Sequence, residues 1–288
     1  SAQPPLGPRD GPIALVLAPT RELAMQIQAE AAKFSRGSKV RTVAVFGGAS
    51  RHGQVSQLRR GAEIIVATPG RLLDLLESEE TSLKRVSFLV LDEADRMLDM
   101  GFEPQIRKVV SQIRPDRQTL LWSATWPHSI RRMAKDFCQE DPVKVTIGSE
   151  ELSTNPRVTQ QIEVVNERMK RQMFMDFVRQ VAVGNERVLV FCHTKRSCDS
   201  LAHDLQNQQF KAEAIHGGKD QSQRDRILAG FKSGRKNILI ATDVAQRGLD
   251  VKELNYVVNY DIPNTFEDYI HRIGRTARAG ATGTALTF

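Results

Sequence analysis

The chain has 288 residues, of which 40% are hydrophobic and 26% charged, and it carries a formal net charge of +7. That balance fits a soluble globular protein of two ordinary-sized domains, and the lack of any apolar run of about 18 residues excludes a transmembrane helix. The positive excess is shared between the halves, +3 up to residue 150 and +4 beyond it, which describes a shallow basic surface suited to a polyanionic partner rather than a basic tail.

No signal-peptide pattern opens the sequence. It starts at Ser1 in Pro-rich sequence and stops at Phe288 inside a strand-like run, so both ends read as cut. Residues 1–12 read as irregular. The pattern then predicts a strand at 13–18, a helix at 22–34, a strand at 40–46, a helix at 52–60, a strand at 63–67 and a helix at 72–78. An apolar strand at 88–91 follows, then a helix at 102–113, a strand at 118–122, a helix at 128–137 and a strand at 143–147. Strands alternating with helices imply an α/β fold with a parallel sheet. Residues 148–156 are polar and aperiodic, which places the first domain at 1–149, a linker at 150–157 and the second domain at 158–288. The alternation then restarts with a strand at 159–165, a helix at 168–183, and short strands at 188–191, 212–215, 238–241 and 256–259, with helices near 197–208 and 221–231. The halves share an architecture without an obvious sequence repeat. Cys138, Cys192 and Cys198 are odd in number and not tightly paired, which points to a reducing compartment, and no second ligand pair completes a zinc site around Cys192, His193 and Cys198.

The polar clusters fall directly after strands, where a parallel sheet has its ligand crevice. The run Phe88-Leu89-Val90-Leu91 opens into Asp92, Glu93 and Asp95. Acids placed there need a cation, a water to orient or basic partners; the alternative is an acid-rich helix start, and this stretch alone leaves both open. Pro19, Thr20 and Arg21 follow the first strand, and Thr68 with Arg71 repeats the device, with the Gly47-Gly48 turn between them. Each alone is a common helix cap; together they suggest a track for a sugar–phosphate chain. Ser123 and Thr125 offer hydroxyls beside the acids, to orient Asp95 or simply to form a turn. Arg275 and Arg278 are three apart, so a helix would put both guanidiniums on one face, suited to the oxygens of a transferring phosphoryl group. Thr242 and Asp250 follow another strand, and His216-Gly217-Gly218-Lys219 with Gln221 and Arg224 adds a further polar turn, which is no P-loop because Asp220 follows the lysine.

The sequence Asp92-Glu93-Ala94-Asp95 spells the DEAD-box signature, and the other clusters follow in that family's order: residues 19–24, Gly47-Gly48, 68–71, 92–95, 123–125, 190–194, Gln221 with Arg224, 241–250 and 271–278. The chain resembles a DEAD-box ATP-dependent RNA helicase over nearly its whole length. The resemblance implies two RecA-like domains, each a parallel sheet flanked by helices, that close on ATP and RNA to bind RNA and open short duplexes. It implies that Asp92 and Glu93 serve Mg²⁺ through water, with Glu93 positioning the attacking water, and that Asp95, Ser123 and Thr125 couple the nucleotide to RNA. Arg275 and Arg278 would reach the γ-phosphate, and Asp250 with Gly248 the ribose side of ATP. Pro19, Thr20, Arg21, Gly47, Gly48, Thr68, Arg71, Thr194, Gln221, Arg224 and Thr242 would touch mostly RNA backbone. Ser123-Ala124-Thr125-Trp126-Pro127 resembles the subgroup that remodels transcripts and ribonucleoproteins, which implies an intracellular monomer, nuclear or nucleolar ahead of cytoplasmic, that meets ribonucleoprotein partners.

The sequence also departs from the family. No Gly-Lys-Ser or Gly-Lys-Thr occurs in the 288 residues, and the adenine-reading Gln motif is missing. The P-loop strand would lie inside the first sheet, so apolar surface would be left unpaired, and this chain alone is expected to hydrolyse ATP poorly. A non-catalytic RNA clamp is the alternative reading, against which stands the presence of Asp92, Glu93, Arg275 and Arg278 together. Gln246 stands where the family has a small residue, and Ala277 where Gly is commonest, a change expected to be harmless.

Overall fold

Four-residue runs such as Val188-Leu189-Val190-Phe191 and Ile238-Leu239-Ile240-Ala241 have no polar side to show to water, so they are stable only with both faces covered. The computed structural model describes residues 7, 10–138, 142–147, 154–182, 184, 186–243, 254–278 and 280–288, and the chain divides into two units, residues 1–147 and 148–288.

The first unit contains β1 (Ala14–Leu17), α1 (Arg21–Phe34), β2 (Thr42–Val45), α2 (Arg51–Arg59), β3 (Ile64–Ala67), α3 (Pro69–Glu77), β4 (Phe88–Leu91), α4 (Ala94–Asp99), α5 (Glu103–Val110), β5 (Gln118–Leu121) and α6 (His128–Phe137). Its five strands are parallel in the order β2-β3-β1-β4-β5. Leu17 pairs with Ala67 and Leu91, Val45 with Ala67, and Leu91 with Leu121, so the strands end level. Leu15, Leu17, Ile65, Leu89 and Leu91 face a core filled by Val55, Leu72, Leu75, Ile106, Val109, Ile130 and Met133 from α2, α3, α5 and α6. Full burial of each such side chain stabilises by about 1.5–3 kcal/mol. The opposite face packs mainly against α1, through Ala24, Leu23 and Ile27.

The second unit contains β6 (Val158–Ile162), α7 (Glu167–Val181), β7 (Val188–Phe191), α8 (Lys195–Asn207), β8 (Ala212–Ile215), α9 (Gln221–Lys232), β9 (Ile238–Ala241), β10 (Tyr256–Asn259), α10 (Phe266–Ile273) and β11 (Gly283–Thr287). Its strands are also parallel, in the order β6-β11-β10-β7-β9-β8. Both faces are closed. Val188, Val190, Ile238 and Ile240 pack on Phe174, Val178, Leu201 and Leu205 of α7 and α8. Leu189, Phe191, Leu239 and Val257 pack on Leu228, Phe231 and Ile273 of α9 and α10.

Taken from the β8 end, the second sheet has the wiring of the first. In each, the second strand of the alternation forms the edge, the third lies inside it, the first is next, and the fourth and fifth continue outward. The second sheet adds β6 beyond β11.

In the first sheet β1 pairs with both β3 and β4 and β4 with β5, and among the described residues no strand pairs with the far side of β5. One expectation fails. Residues 143–147 form no strand; Val143, Val145 and Ile147 are 90%, 79% and 89% exposed. Their alternation marks an apolar side, but no described strand lies alongside to take their amides and carbonyls. The strand expected at 159–165 stops at Ile162, and α4 and α10 are helices that the pattern did not single out.

Candidate functional site

The level strand ends turn sequence motifs into neighbours. Along the edge of the first sheet stand, in order, the Gly47-Gly48 turn after β2, Thr68 after β3, Thr20 after β1, Asp92 and Glu93 after β4, and Ser123 after β5. The acids occupy one side of β1 and the Thr and Gly elements the other.

The Asp92 amide donates to Leu17 O at 3.0 Å and so continues the ladder, while its carboxylate accepts from the Glu93 amide at 3.0 Å. Glu93 lies in the left-handed region, φ 50 and ψ 52, which costs a non-glycine residue about 1–2 kcal/mol. The reversal lets Ala94 donate to Trp122 O at 2.9 Å and sends Asp95 inward, where it is 5% exposed. One Asp95 oxygen accepts from both the amide and the hydroxyl of Thr125, each at 3.0 Å, and the other accepts from the Arg96 amide at 3.0 Å. Ser123 donates its hydroxyl to Thr125 O at 2.8 Å. Asp95 is thus the structural acid, and Asp92 and Glu93 remain half-buried at the surface. Burial raises the Asp92 carboxyl above its ordinary range, and the charges of Glu93 and Asp95 add to the rise against the Glu93 amide. A cation beside Asp92 would relieve that strain. Among the described residues no three acids, histidines or cysteines form a protein-only cage. A small hard cation held by one or two carboxylates, waters and phosphate oxygens needs none, so Asp92 and Glu93 fit that mode.

Across β1 the geometry is different. The Thr20 hydroxyl caps α1, accepting from the Leu23 amide at 3.2 Å, and Pro19 is buried. Thr68 begins α3 without a side-chain cap. Gly47 and Gly48 are exposed, and Gly48 has φ 73. Arg21 donates to Gly48 O at 3.2 Å and covers the Phe46 ring at 5.2 Å. Arg71 donates to Ala49 O at 3.3 Å and to Gln54 Oε1 at 3.1 Å. Both guanidiniums therefore hold the turn from behind. Gln54, which the sequence reading passed over, is buried and bonds both main-chain groups of Phe46: its oxygen accepts from the amide at 3.2 Å and its nitrogen donates to the carbonyl at 3.0 Å.

The second unit repeats the placement by register. Thr194 stands three residues past β7, as Thr20 does past β1; Gly217-Gly218 follows β8 as Gly47-Gly48 follows β2; Thr242 follows β9 as Thr68 follows β3. Thr194 caps α8, accepting from the Ser197 amide at 3.0 Å, and Thr242 is buried. Gln221 and Arg224 are hydrogen-bonded to each other on α9. Here the turn is held by His216, which is buried: its Nδ1 accepts from the Gly218 amide at 3.1 Å, so its Nε2 carries the proton given to Asp199 at 3.0 Å. Lys219 donates to the same carboxylate at 3.2 Å. Burial raises the Asp199 carboxyl, but the bonds from His216 and Lys219 outweigh it and hold the acid below its usual range.

Arg275 and Arg278 do not share a helix face. α10 ends at Ile273, where the Gly274 amide caps it by donating to Ile270 O at 2.8 Å. Thr276 then turns inward, its hydroxyl donating to Leu254 O, and packs where a Cβ on Gly283 would collide with it. Arg275 is left buried and Arg278 exposed, with Arg278 Nε donating to Gly274 O at 2.9 Å. The buried anchor of this region is Arg272, another residue the sequence reading did not select. It bonds both Asp243 oxygens at 2.8 and 2.6 Å and Asp261 O at 2.7 Å, with the Phe191 ring at 5.0 Å. Ala277 has φ 55, so the expectation that it is a harmless replacement for glycine meets a left-handed backbone. Gly248, Asp250 and Gln246 lie outside the described residues.

Residues 5–133 match the DEAD/DEAH box helicase family, and residues 169–280 match the helicase conserved C-terminal domain. Over 288 residues, 100% of this chain, the sequence is 59% identical to the DEAD-box ATP-dependent RNA helicase 30 of Arabidopsis thaliana, of which it covers 48%. The chain spans about half the length of the curated relatives it matches. It is similar to the solved structure of a DEAD box protein from the hyperthermophile Methanococcus jannaschii, with 39% identity, TM-score 0.51, and coverage of 96% of this chain and 74% of that one. It is also similar to S. cerevisiae Dbp5 bound to RNA and ADP BeF3, with 29% identity, TM-score 0.84, and coverage of 98% and 73%.

Thr125→Val removes a hydroxyl donor from a buried carboxylate and is expected to destabilise the first unit by about 1.5–3 kcal/mol, while Thr125→Ser, which keeps the donor, loses about 1 kcal/mol; urea denaturation measures both. Ala277→Gly is expected to raise the stability of the second unit by about 0.5–1 kcal/mol, the relief of the left-handed backbone less the added freedom of the unfolded chain, and a lower urea midpoint would contradict it.

Proposed function

The chain belongs to the DEAD/DEAH box helicase family, and from that premise we propose that it works as an ATP-dependent RNA helicase that remodels RNA or ribonucleoprotein. The observation that carries this reading is the division of one sheet edge, with carboxylates after β4 and hydroxyls after β5 on one side, and threonines after β1 and β3 with an exposed Gly-Gly turn after β2 on the other. An acid pair with a raised carboxyl serves a cation and a water. Exposed glycine backbone serves phosphodiesters, to which a side chain would bar approach.

Asp92 holds Mg²⁺, mostly through water, and Glu93 orients the attacking water. The metal, when bound, would supply positive charge against the phosphates. Asp95 and Thr125 fix the loops after β4 and β5 to one another, so that Ser123 and Thr125 report the state of the acids to the RNA side of the edge. Arg275 and Arg278 supply guanidiniums to the phosphates, and Asp250 and Gly248 hold the ribose side. Thr20, Thr68, Gly47 and Gly48 of the first unit and Thr194, Thr242, Gln221 and Arg224 of the second meet RNA backbone, with Pro19, Arg21 and Arg71 shaping that surface. The free thiols Cys138, Cys192 and Cys198 support a reducing, intracellular setting, with the nucleus or nucleolus ahead of the cytoplasm, and a monomer that meets ribonucleoprotein partners.

Anisotropy titrations of the 288-residue chain with labelled single-stranded RNAs of different sequence are expected to give similar affinities, each falling with salt at a slope of about −0.7 per phosphate neutralised. Gly47→Ala places its methyl in open space at a backbone without positive φ, so the fold is unaffected, while RNA binding weakens about tenfold as the phosphate approach is blocked. Affinity that is sequence-specific and insensitive to salt would overturn the reading. ATP turnover by these 288 residues is expected to be slow, since they hold no Gly-Lys-Thr loop to cradle the phosphates; strong RNA-stimulated phosphate release would contradict that.

A further inference from the structure

We infer that Gln54 is a positioning residue for RNA phosphate binding, acting through the Gly47-Gly48 turn. The inference rests on the reading of that turn as an RNA contact. Gln54 sits on α2 and is 6% exposed. It pairs with both the amide and the carbonyl of Phe46, at 3.2 and 3.0 Å, as a neighbouring strand would. β2 is the edge strand and has β3 on one side only, so its last pairing is supplied by a side chain instead of a strand. The same Gln54 oxygen accepts from Arg71 at 3.1 Å, and Arg71 in turn holds Ala49 O at 3.3 Å. The backbone is therefore clamped on either side of Gly47-Gly48, at Phe46 by Gln54 and at Ala49 by Arg71. Arg21 adds a bond to Gly48 O at 3.2 Å.

The carbonyls of residues 46, 48 and 49 all receive donors from behind the turn. Among the described residues no group accepts from the Gly47 or Gly48 amide, and both glycines are exposed. Two backbone N–H groups on an exposed glycine turn, with the carbonyls of residues 46, 48 and 49 tied back, are donors that an anionic oxygen could take. Gln54 suits its place because it alone among side chains of its length offers one acceptor and one donor in the plane of a peptide group. Glutamate lacks the donor when ionised, and methionine matches the length with neither function.

The test is RNA affinity measured with a labelled single-stranded RNA on the 288-residue chain, below the onset of unfolding. Gln54→Met is expected to weaken binding about tenfold, and Gln54→Glu by less, since it keeps the acceptor for Phe46 and Arg71. Hydrogen exchange at the Phe46 amide should quicken in Gln54→Met and stay slow in Gln54→Glu. In the double variant with Gly47→Ala, Gln54→Met should add little further loss, because both changes act on one contact. Losses that simply multiply, or full affinity in Gln54→Met, would assign Gln54 to fold stability and overturn the inference. Should Gly47→Ala itself leave binding intact, the turn is not an RNA contact and the inference falls with that reading. If Gln54→Met does not fold, Gln54→Glu decides: unchanged affinity together with unchanged coupling to Gly47→Ala overturns the inference.

Discussion

Parallel strands cannot be joined by tight hairpins, so each strand must hand the chain to a connection that carries it back before the next strand begins. In both units this forces every strand to leave the sheet at one edge, and the one-to-one registers make them leave at one level. The placement of the polar clusters follows from strand order alone. β1 lies in the middle of its sheet, so residues far apart in sequence, the Gly47-Gly48 turn and Thr68, are gathered on one side of it and Asp92, Glu93 and Ser123 on the other. The Asp95–Thr125 bonds then join the two loops on the acid side into one piece.

The two units hold the Gly-Gly turn after the edge strand by different chemistry. Each ends its edge strand in a Gly-Gly pair followed by a capped helix, Ser50 leading α2 and Asp220 leading α9. In the first unit an amide side chain and a guanidinium fix the turn. In the second an imidazole bonds the Gly218 amide and is itself held by Asp199. The first lock is an amide and a guanidinium, whereas the second rests on an imidazole nitrogen that accepts from the Gly218 amide. The common wiring is a matter of backbone geometry, and the side chains that stabilise it are free to differ, which is why no repeat is evident in the sequence.

Much of this was legible in the residues. The strands of both sheets were visible as short apolar runs, and the site elements as polar clusters at their ends, because in parallel sheets burial and strand ends coincide. What escaped was whatever depends on packing between distant segments. Gln54 looks like any polar residue of an amphipathic helix until the fold brings Phe46 against it. Arg272 sits within a motif already noticed, yet only the arrival of Asp243 and Asp261 shows that it is the anchor there. Arg275 and Arg278 have helical spacing, but the helix ends at Ile273, before either of them, so that spacing does not apply. Residues 143–147 have the strand period without a strand beside them. Periodicity reports which side of a segment is apolar; it does not report whether a partner exists.

Glu93 deserves its place at the end of β4 on grounds other than comfort. Its φ of 50 is a conformation that glycine or asparagine would adopt more readily. Were this position chosen for folding alone, a long acidic side chain would be among the poorer options. The backbone here is therefore away from its stability optimum. On the role proposed for Glu93 this is a local concession in stability to chemistry, and glycine in its place would give a protein that is easier to fold and lacks the carboxylate that orients the water.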